Sequence, residues 1–424
     1  MARVLLLLPT TTYRTGDFLR AAAALNVDVT VASEEPSTFE ESNREGLLTL
    51  DFRNPSACAE AAAAFAGSHP IGAVIGVDED TSVVAAAIAD RLGLPHNPAS
   101  AAAAAGDKAR MRDAFARGGV PSPAHRVFSL AEDPARVARA VSFPCVLKPT
   151  FLAASRGVIR ADDPAAFERA WGRIAAILAE PDVRQRGGER AELLLVEDFI
   201  PGREVALEGL LRAGRLHVLA LFDKPDPLDG PFFEETIYVT PSRLPDRAQR
   251  EIARAAERGA AALGLREGPV HAELRVNEEG VWVIEIAARS IGGLCARTLR
   301  FGAGLSLEEL ILRHALGSLE EVPARDPRAA GVMMIPIPAA GVFERVNGLE
   351  GARRVPGVED IVISAHPGQK LVPLPEGSRY LGFLFARGDT PDQVEAALRQ
   401  AHARLDFVIV APRIEGGDPS LRAG

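Results

Sequence analysis

Apolar and polar positions alternate over the first 95 residues in the order that strands followed by helices produce. Short apolar runs at residues 3–8, 27–32 and 72–77 predict buried strands. Apolar residues at helical spacing predict helices over residues 17–25 and 81–92. This alternation indicates βαβ units around a parallel sheet.

Three acidic residues follow the third apolar run. Asp78, Glu79 and Asp80 lie where that strand is predicted to end, which is the usual ligand edge of a parallel sheet. The same residues can instead cap the next helix. The sequence leaves both interpretations open.

From residue 96 onward the pattern predicts helices mixed with antiparallel strands. Helices are predicted within 96–122 and at 134–141, 163–179, 245–263, 305–316 and 391–405. Strands are predicted at 125–130, 143–149, 192–197, 204–212, 215–222, 236–240, 332–337, 359–364 and 380–386, with a hairpin over 270–289. The polar stretch 184–190 is expected to be an exposed loop. The fold class predicted for the whole chain combines α/β and α+β units.

Composition narrows the classes of partner. The chain is 47% hydrophobic and 25% charged, which is typical of a soluble globular protein. Its net charge of −9 argues against nucleic acid as a partner. The first apolar run is too short for a signal peptide, and no later stretch is long enough to span a membrane. Three widely spaced cysteines favour neither disulfides nor a metal cluster, so a cytoplasmic location is expected.

Lysine is rare in this chain. Of 48 basic residues, only Lys108, Lys148, Lys224 and Lys370 are lysines. Because arginine serves elsewhere as the surface cation, a lysine can mark a place that needs a compact ammonium group. Local context favours such a function for the first three, and chance retention for Lys370.

The hairpin over residues 270–289 carries the most specific chemical pattern. Period-2 alternation and a three-residue loop at 278–280 set Asn277 opposite Val281 and Glu273 opposite Glu285. Facing carboxylates repel each other unless one is protonated or a divalent cation lies between them. Carboxylate oxygens suit Mg²⁺. A solvated hairpin face is the competing interpretation, and the cation of Arg289 nearby favours a metal–phosphate site.

This hairpin resembles the metal-binding strand pair of ATP-grasp enzymes. Glu273 matches the first glutamate of that pattern, and Glu285 and Arg289 match the Glu-x-Asn-x-Arg run. Ala287 stands where the pattern has asparagine, which leaves the number of metals open. His271 is predicted to face that gap, either as a structural histidine or as partial compensation. The resemblance implies ATP and Mg²⁺, with Mn²⁺ as a possible substitute.

The resemblance extends to the nucleotide site. Lys108 and Lys148 match the two nucleotide lysines of the family, in the expected order. The loop 153–157 implies phosphate contacts through Ser155 and Gly157. The hinge and ribose contacts are implied for Glu197, Phe199, Ile200 and Glu204.

Further features resemble the L-amino-acid ligase subgroup. Lys224 in the FDKP run is implied to hold the γ-phosphate or an acyl phosphate. Glu234 or Glu235 is implied to receive a substrate ammonium, although both can be solvated loop residues. Backbone N–H groups at Gly292 and Gly293 are implied to meet a substrate carboxylate.

The resemblance implies four units. They are a Rossmann-like preATP-grasp domain over 1–95, a linker and nucleotide-lid subdomain over 96–200, a catalytic subdomain over 201–325 and a C-terminal α+β module over 326–424. A homodimer is common among similar enzymes and is open here.

The implied activity is ATP-dependent ligation of a small carboxylic acid to an amine through an acyl phosphate, with an amino acid among the substrates. The sequence names neither substrate. One alternative is an ATP-grasp carboxylase that uses carboxyphosphate, and another is a non-catalytic ATP-binding module. A dinucleotide-dependent oxidoreductase is a third, although residues 7–12 lack the glycine-rich turn that it needs.

Overall fold

A computed structural model describes residues 3–411, apart from residues 11, 38–42 and 44. Within these ranges, no helix is both long enough and apolar enough to cross a membrane.

The N-terminal unit is a parallel sheet with helices against it, as the alternation predicts. The sheet order is β3-β2-β1-β4. Its elements are β1 (Arg3–Leu7), α1 (Thr15–Ala24), β2 (Asp28–Ser33), β3 (Leu47–Thr49), α2 (Pro55–Ala66), β4 (Ile71–Gly76) and α3 (Glu79–Arg91). The central strand β1 is almost wholly buried, with Leu5 and Leu7 against α2 and α3 and the alternate residues Val4 and Leu6 in a second cluster. Both faces of a parallel sheet are covered in this way.

Two short helices then lead to a second unit. They are α4 (Ala99–Ala105) and α5 (Lys108–Arg117). The second unit, the lid, is an antiparallel sheet of order β5-β8-β6-β7. Its elements are β5 (His125–Ser129), α6 (Pro134–Ala138), β6 (Cys145–Pro149), β7 (Ile159–Ala161), α7 (Pro164–Leu178), α8 (Pro181–Gly187) and β8 (Leu193–Asp198).

Residues 184–190 are mostly exposed, as predicted, but the prediction that they form a loop is wrong. Helix α8 and a short 3₁₀ helix, Gly188–Glu192, occupy this region. Pro181 is suited to a first helical position, and the buried Val183 anchors the turn to the lid core. Two of the arginines in this stretch, Arg186 and Arg190, lie over the ring of Phe151 at 5.9 and 5.0 Å from its centre.

The rest of the described chain forms a large sheet and a small one. The elements are β9 (Arg203–Arg212), β10 (Arg215–Asp223), β11 (Ile237–Thr240), α9 (Asp246–Leu263), β12 (Gly268–Asn277), β13 (Gly280–Ala287), α10 (Leu307–Ala315), β14 (Ala329–Ile335), β15 (Gly341–Asn347), α11 (Leu349–Arg353), β16 (Val358–Ile363), β17 (Lys370–Leu371), β18 (Gly382–Gly388), α12 (Pro391–His402) and β19 (Asp406–Val410). Eight strands pair in the order β13-β12-β9-β10-β11-β14-β18-β16, and β17-β15-β19 form the small sheet. The large sheet runs past residue 325, so its strands come from both sides of that predicted boundary. The four predicted unit limits stay predictions.

The turn of the β12–β13 hairpin differs from the prediction. Asn277 pairs with Gly280 instead of Val281, so the loop has two residues, not three. The Asn277 side-chain oxygen accepts hydrogen bonds from the Glu279 and Gly280 N–H groups at 3.0 and 3.2 Å. Because the Asn277 side chain caps the turn, strand pairing extends to Gly280, one residue closer to the tip of the hairpin than predicted.

A bulge restores the predicted pairing closer to the cleft. Ile284 has no partner in β12, because Leu274 pairs with Val283 and Glu273 pairs with Glu285. The extra residue rotates the strand, so Val283 is buried beneath α9 while Glu285 faces the other side. The prediction that Val283 and Glu285 share one face is therefore wrong, but the facing glutamates are confirmed.

Candidate active site

One cleft lies between the lid, the start of α5 and strands β9, β11, β12 and β13 of the large sheet. Most of the predicted site residues line it. They are Lys108, Lys148, Ser155, Glu197, Phe199, Ile200, Glu204, Glu235, Glu273, Glu285, Arg289, Gly292 and Gly293. Gly157, Lys224 and Glu234 lie outside this lining.

The two facing glutamates differ in their electrostatic surroundings. Burial raises the pKa of Glu273, and the neighbouring carboxylates of Glu204 and Glu285 raise it further against the pull of Lys224. Burial also disfavours the charged form of Glu285, but Lys108, Lys148 and Arg289 outweigh it and lower its pKa. The Lys108 Nζ lies 3.4 Å from a Glu285 oxygen. The pair therefore combines a carboxyl group with a lowered pKa and one with a raised pKa, and a further cation between them would favour the charged form of Glu273.

Helix α5 begins at the cleft and aims Lys108 into it. Asp107 caps the helix by accepting hydrogen bonds from the Ala109 and Arg110 N–H groups, each at 3.0 Å. The Lys108 ammonium donates to the Leu152 carbonyl at 2.8 Å. The cap and this hydrogen bond fix the position of the ammonium group.

The Glu197 carboxylate binds two cations. It lies 2.7 Å from Lys148 Nζ and 2.8 Å from Arg112 Nε. Burial opposes its charge, but these two cations lower the pKa of Glu197 to about 2. Arg112 also donates to the Ile284 carbonyl at the β13 bulge, at 2.7 Å. The side chain of Glu197 thus positions Lys148. Through Arg112, the lid is also linked to the β12–β13 hairpin.

Sequence reasoning missed Arg112. It follows Lys108 by four residues on one helix, a spacing that places both side chains on the same face. That spacing was the available signal, but an arginine-rich chain hides a functional arginine among many surface ones.

The hinge between β8 and β9 is already partly bonded. The Phe199 N–H donates to the Pro144 carbonyl at 3.1 Å, and the Ile200 carbonyl accepts from Arg275 at 2.8 Å. Among the described residues, the Ile200 N–H has no hydrogen-bond partner. Apolar side chains form the walls beside this hinge, namely Val146, Leu228, Phe233 and Ile284. The hinge therefore borders an apolar slot, and the Ile200 N–H is a hydrogen-bond donor at the edge of this slot.

Lys224 is enclosed by carboxylates. Its ammonium donates to Glu204 at 2.8 Å and to Glu235 at a still shorter distance, and it lies 3.7 Å from Glu273. Although burial opposes its charge, these three carboxylates hold the pKa of Lys224 well above its usual range. The Tyr238 hydroxyl donates to the same oxygen of Glu235 at 2.8 Å. Lys224 is therefore held at the carboxylates, beside the cleft, and the sequence-based assignment to phosphate stays a prediction.

Arg275 is a second residue that sequence reasoning missed. It lies between Glu204, which it contacts at 2.9 Å, and the hinge carbonyl of Ile200. Its guanidinium also lies 5.0 Å from the centre of the Phe199 ring. The strand alternation placed it on the face of Glu273, which was the signal for it.

The two candidate substrate glutamates differ in position. Glu235 lines the cleft and is engaged by Lys224 and Tyr238. Burial alone raises the pKa of Glu234, and Glu234 does not line the cleft. Of the two, the structure brings only Glu235 to the site.

The loop 153–157 has an unusual backbone, and it is here called the phosphate loop after the contacts that the sequence predicts for it. Ala154 and Ser155 have φ values of 53° and 55°, and Gly157 has a φ of 72°. A Cβ atom on Gly157 would lie 2.7 Å from Pro149, so glycine is required there. Ser155 lines the cleft.

Arg289 connects the hairpin to the N-terminal unit. Its guanidinium lies 3.2 Å from the Glu79 carboxylate and donates to the Ser290 carbonyl at 3.0 Å. Of the two interpretations of the acidic run, helix capping is confirmed at Asp78, and the ligand edge stays a prediction. Asp78 occupies the N-cap position of α3, while Glu79 reaches the site through Arg289.

His271 is oriented by a buried carboxylate. Its Nδ1 lies 3.2 Å from Glu208, which also accepts from the Ile291 N–H at 3.0 Å. Its other ring nitrogen lies 3.8 Å from Glu273. As predicted, His271 is opposite Ala287 in the ladder. Glu208 thus joins the hairpin to the loop that carries Gly292.

A cysteine in the cleft is not an activated thiol. Burial raises the pKa of Cys295 to about 12, so the sulfur stays protonated at neutral pH. This agrees with chemistry that needs no protein nucleophile.

Three families match separate parts of the chain. Residues 141–298 match the ATP-grasp domain, residues 19–96 the ATP-grasp N-terminal domain and residues 333–410 the L-amino acid ligase C-terminal domain 2. The chain therefore contains an ATP-grasp domain, as the sequence resemblance implied. The N-terminal and C-terminal matches flank the ATP-grasp match in the order that the sequence resemblance implied.

Similar proteins agree with this domain assignment. Alanine–anticapsin ligase of Bacillus subtilis (strain 168) is 30% identical over 238 residues, which cover 53% of this chain and 49% of that protein. The chain thus spans about half the length of this curated relative. Carnosine synthase 1 of Gallus gallus is 30% identical over 273 residues, or 61% of this chain and 29% of that protein.

Solved structures extend the likeness to the whole ATP-grasp fold. An L-amino acid ligase from Bacillus licheniformis superposes with a TM-score of 0.82 at 26% identity, covering 96% of this chain and 99% of that one. A carboxyaminoimidazole ribonucleotide synthase from Aspergillus clavatus, complexed with ATP, has a TM-score of 0.68 at 17% identity, with coverage of 95% and 98%. At that identity the second likeness shows the fold alone.

Proposed function

We propose that this chain is an ATP-dependent carboxylate–amine ligase that forms an amide bond, with an amino acid among its small-molecule substrates. The observation that carries the proposal is the facing pair Glu273 and Glu285 in one cleft with Lys108, Lys148 and Arg289. The names of the similar ligases support the same activity. In this reaction a carboxylate takes the γ-phosphoryl group of ATP, and an amine then displaces phosphate from the acyl phosphate.

ATP fits the two halves of the cleft. The apolar slot at the hinge suits adenine, with the Ile200 N–H as its free donor. Glu204 is placed beside the hinge for the ribose, and Lys108 and Lys148 supply positive charge for the phosphates. Ser155 and the backbone near Gly157 complete the phosphate contacts. The side chain of Glu197 acts through Lys148 in this arrangement.

The residues present also fit a divalent cation. Glu273 and Glu285 offer hard oxygen ligands, and no side chain of the described residues donates a hydrogen bond to Glu273 within 3.5 Å. Mg²⁺ or Mn²⁺ held there would neutralise charge on the β- and γ-phosphates.

A second carboxylate group competes less well for the metal. Glu204, Glu235 and Glu273 offer oxygens within 4.8 Å of one another. The Lys224 ammonium already donates to two of these three carboxylates. Their charge is therefore met by lysine, and the Glu273–Glu285 pair is the better metal site.

The remaining groups suit the acyl-transfer half of the reaction. Arg289 can stabilise the oxyanion that forms when the amine attacks, because a fixed cation lowers the energy of developing negative charge. Lys224 is assigned to the acyl phosphate through its place between Glu235 and Glu273. Glu235 is proposed to receive the substrate ammonium, and the N–H groups of Gly292 and Gly293 its carboxylate.

The experiment that tests the activity is a matrix of amino acids, tested singly and in pairs with MgATP and scored for phosphate release. Release that depends on both an acid and an amine is the expected result. Release that depends on bicarbonate alone would contradict the ligase proposal and favour carboxylation. ATP binding without ADP formation across the matrix would instead favour a non-catalytic module.

A further inference from the structure

The C-terminal part of the chain holds the phosphate loop from outside the cleft. The Gly157 N–H donates to the Pro375 carbonyl at 2.8 Å. The Arg156 side chain donates to the Glu376 carbonyl at 2.7 Å, across 220 positions of sequence. The segment 373–377, here called the clasp, therefore touches two successive residues of the loop.

The clasp also contacts helix α7 of the lid. Both carboxylate oxygens of Glu376 accept from Arg173 of α7, each at 2.9 Å. A bidentate arginine–carboxylate pair fixes orientation as well as distance. Helix α7 is itself anchored in the lid core by Phe167 and Ile174. The clasp thus has a rigid support from which to hold the loop.

The loop needs outside support because its backbone is costly. Ala154 and Ser155 have positive φ values, and such a conformation is unfavourable for residues other than glycine. Within the loop, Arg156 N donates to the Ala153 carbonyl at 3.2 Å and Val158 N donates to Ser155 at 3.1 Å. Conformations of this kind persist where surrounding contacts hold them in place. The hydrogen bonds from Arg156 and Gly157 to the clasp are such contacts.

The same stretch of chain continues to the cleft. Tyr380, three residues beyond the clasp, lines the cleft and packs against Phe383 with ring centres 6.1 Å apart. The C-terminal part of the chain therefore contacts both the lid and the site that the lid covers.

We infer that Glu376 is a positioning residue for the phosphate loop. Its pair with Arg173 holds the clasp, and the clasp holds Ser155 and the adjacent backbone in the conformation that faces the nucleotide phosphates. The nucleotide part of this inference rests on the proposed function. The order of the loop itself does not depend on it.

The test uses Glu376→Ala in the full-length protein, with two measurements. Hydrogen exchange of the peptide spanning residues 153–158, followed by mass spectrometry without nucleotide, is expected to become faster. The Kd for a non-hydrolysable ATP analogue with Mg²⁺, measured by calorimetry, is expected to rise about three- to fivefold, as loss of a half-exposed ion pair allows. The fold survives because both partners of the pair are partly exposed, at 43% and 39%.

A charge exchange separates positioning from general loss of structure. The double variant Arg173→Glu with Glu376→Arg rebuilds the pair and is expected to restore most of the lost affinity and protection. The control is Glu60→Ala, which removes a bidentate pair with Arg91 at 2.9 and 3.3 Å in the N-terminal unit. It is expected to change neither measurement.

Unchanged exchange in Glu376→Ala would overturn the inference. So would a loss that the charge exchange fails to restore, because the effect would not then pass through the pair. A wild-type protein that binds no ATP analogue would contradict the proposed function. Faster exchange in Glu376→Ala would still support the positioning role in that case.

Discussion

At the scale of single residues, the site is a set of charges that constrain one another. Glu285 is kept ionised by three cations, while burial and neighbouring carboxylates raise the pKa of Glu273. Such an arrangement costs stability when empty and is relieved when a cation binds. It is the physical basis for assigning the metal to this pair.

Replacing either glutamate by the isosteric glutamine should separate function from stability. Glu273→Gln and Glu285→Gln are each expected to lower ATP turnover about 100-fold or more, because a charged ligand is lost where charge develops. The melting temperature of Glu273→Gln should not fall, because burial disfavours the negative charge that the substitution removes. Phosphate release and thermal unfolding check the two effects. The matched control is Glu279→Gln, at the exposed hairpin turn. Activity near wild type in both Glu273→Gln and Glu285→Gln would refute the metal assignment.

Glu197 should make stability depend on pH. Its pKa falls from 4.5 to about 2 in the folded protein, which corresponds to about 3 kcal/mol. Because the folded pKa is the lower one, this stability is present above pH 4.5 and is lost as the pH falls from 4.5 toward 2.

Urea unfolding at a series of pH values measures this contribution. Glu197→Gln should be less stable than wild type at pH 7, since it leaves Arg112 and Lys148 without their carboxylate. The stability difference between the two proteins should shrink as the pH falls below 4.5. A difference that stays constant down to pH 3 would show that the Glu197 charge does not supply this stability.

At the scale of elements, the start of α5 decides where Lys108 lies. Asp107 caps the helix, so Asp107→Ala should cost about 1 kcal/mol and also raise the KM for ATP by displacing the ammonium group. Asp163→Ala removes the equivalent cap of α7, outside the cleft, and should cost similar stability with an unchanged KM. Chemical unfolding and ATP saturation curves measure both. Equal KM changes in the two variants would contradict the link between the cap and the site.

The hairpin shows what sequence pattern can and cannot predict. Alternation along β12 predicted Glu273 opposite Glu285, because pairing near the cleft follows from the burial of one face. It did not predict the Asn277 cap or the bulge at Ile284, since these depend on a side-chain hydrogen bond and on packing against α5 and α9. Two errors of one residue cancelled, so the site pairing survived while the turn was wrong.

At the scale of the whole molecule, residues of the ATP-grasp and C-terminal matches line one cleft, and the N-terminal part reaches it through the contact of Glu79 with Arg289. The order of family matches was implied by the motifs, because nucleotide lysines, hinge and metal strands follow one another along the sequence. Contacts between distant parts left no such signal. The Glu79–Arg289 pair and the Glu376–Arg173 pair join surface-like charges that only the folded chain brings together.

The link between the N-terminal unit and the hairpin can be tested through Arg289. Glu79→Gln removes the charge beside Arg289 without shortening the side chain. It should lower turnover several-fold while ATP binding changes little, because Arg289 is assigned to the acyl-transfer half of the reaction. The control is Asp80→Asn. Asp80 lies beside Glu79 on α3, and its exposed pair with Arg186 of α8 is weakened by the substitution. A larger loss in the control than in Glu79→Gln would argue against the link.

The proposed reaction begins with the activation of a carboxylate by phosphoryl transfer from ATP. The direct measurement follows oxygen: the acid substrate found by the matrix is labelled with ¹⁸O in its carboxylate and turned over with MgATP and the amine. We expect each phosphate released to carry one labelled oxygen from the acid, since the carboxylate oxygen attacks the γ-phosphorus and leaves with it. Phosphate that carries no label, formed in step with the amide product, would contradict the acyl-phosphate route.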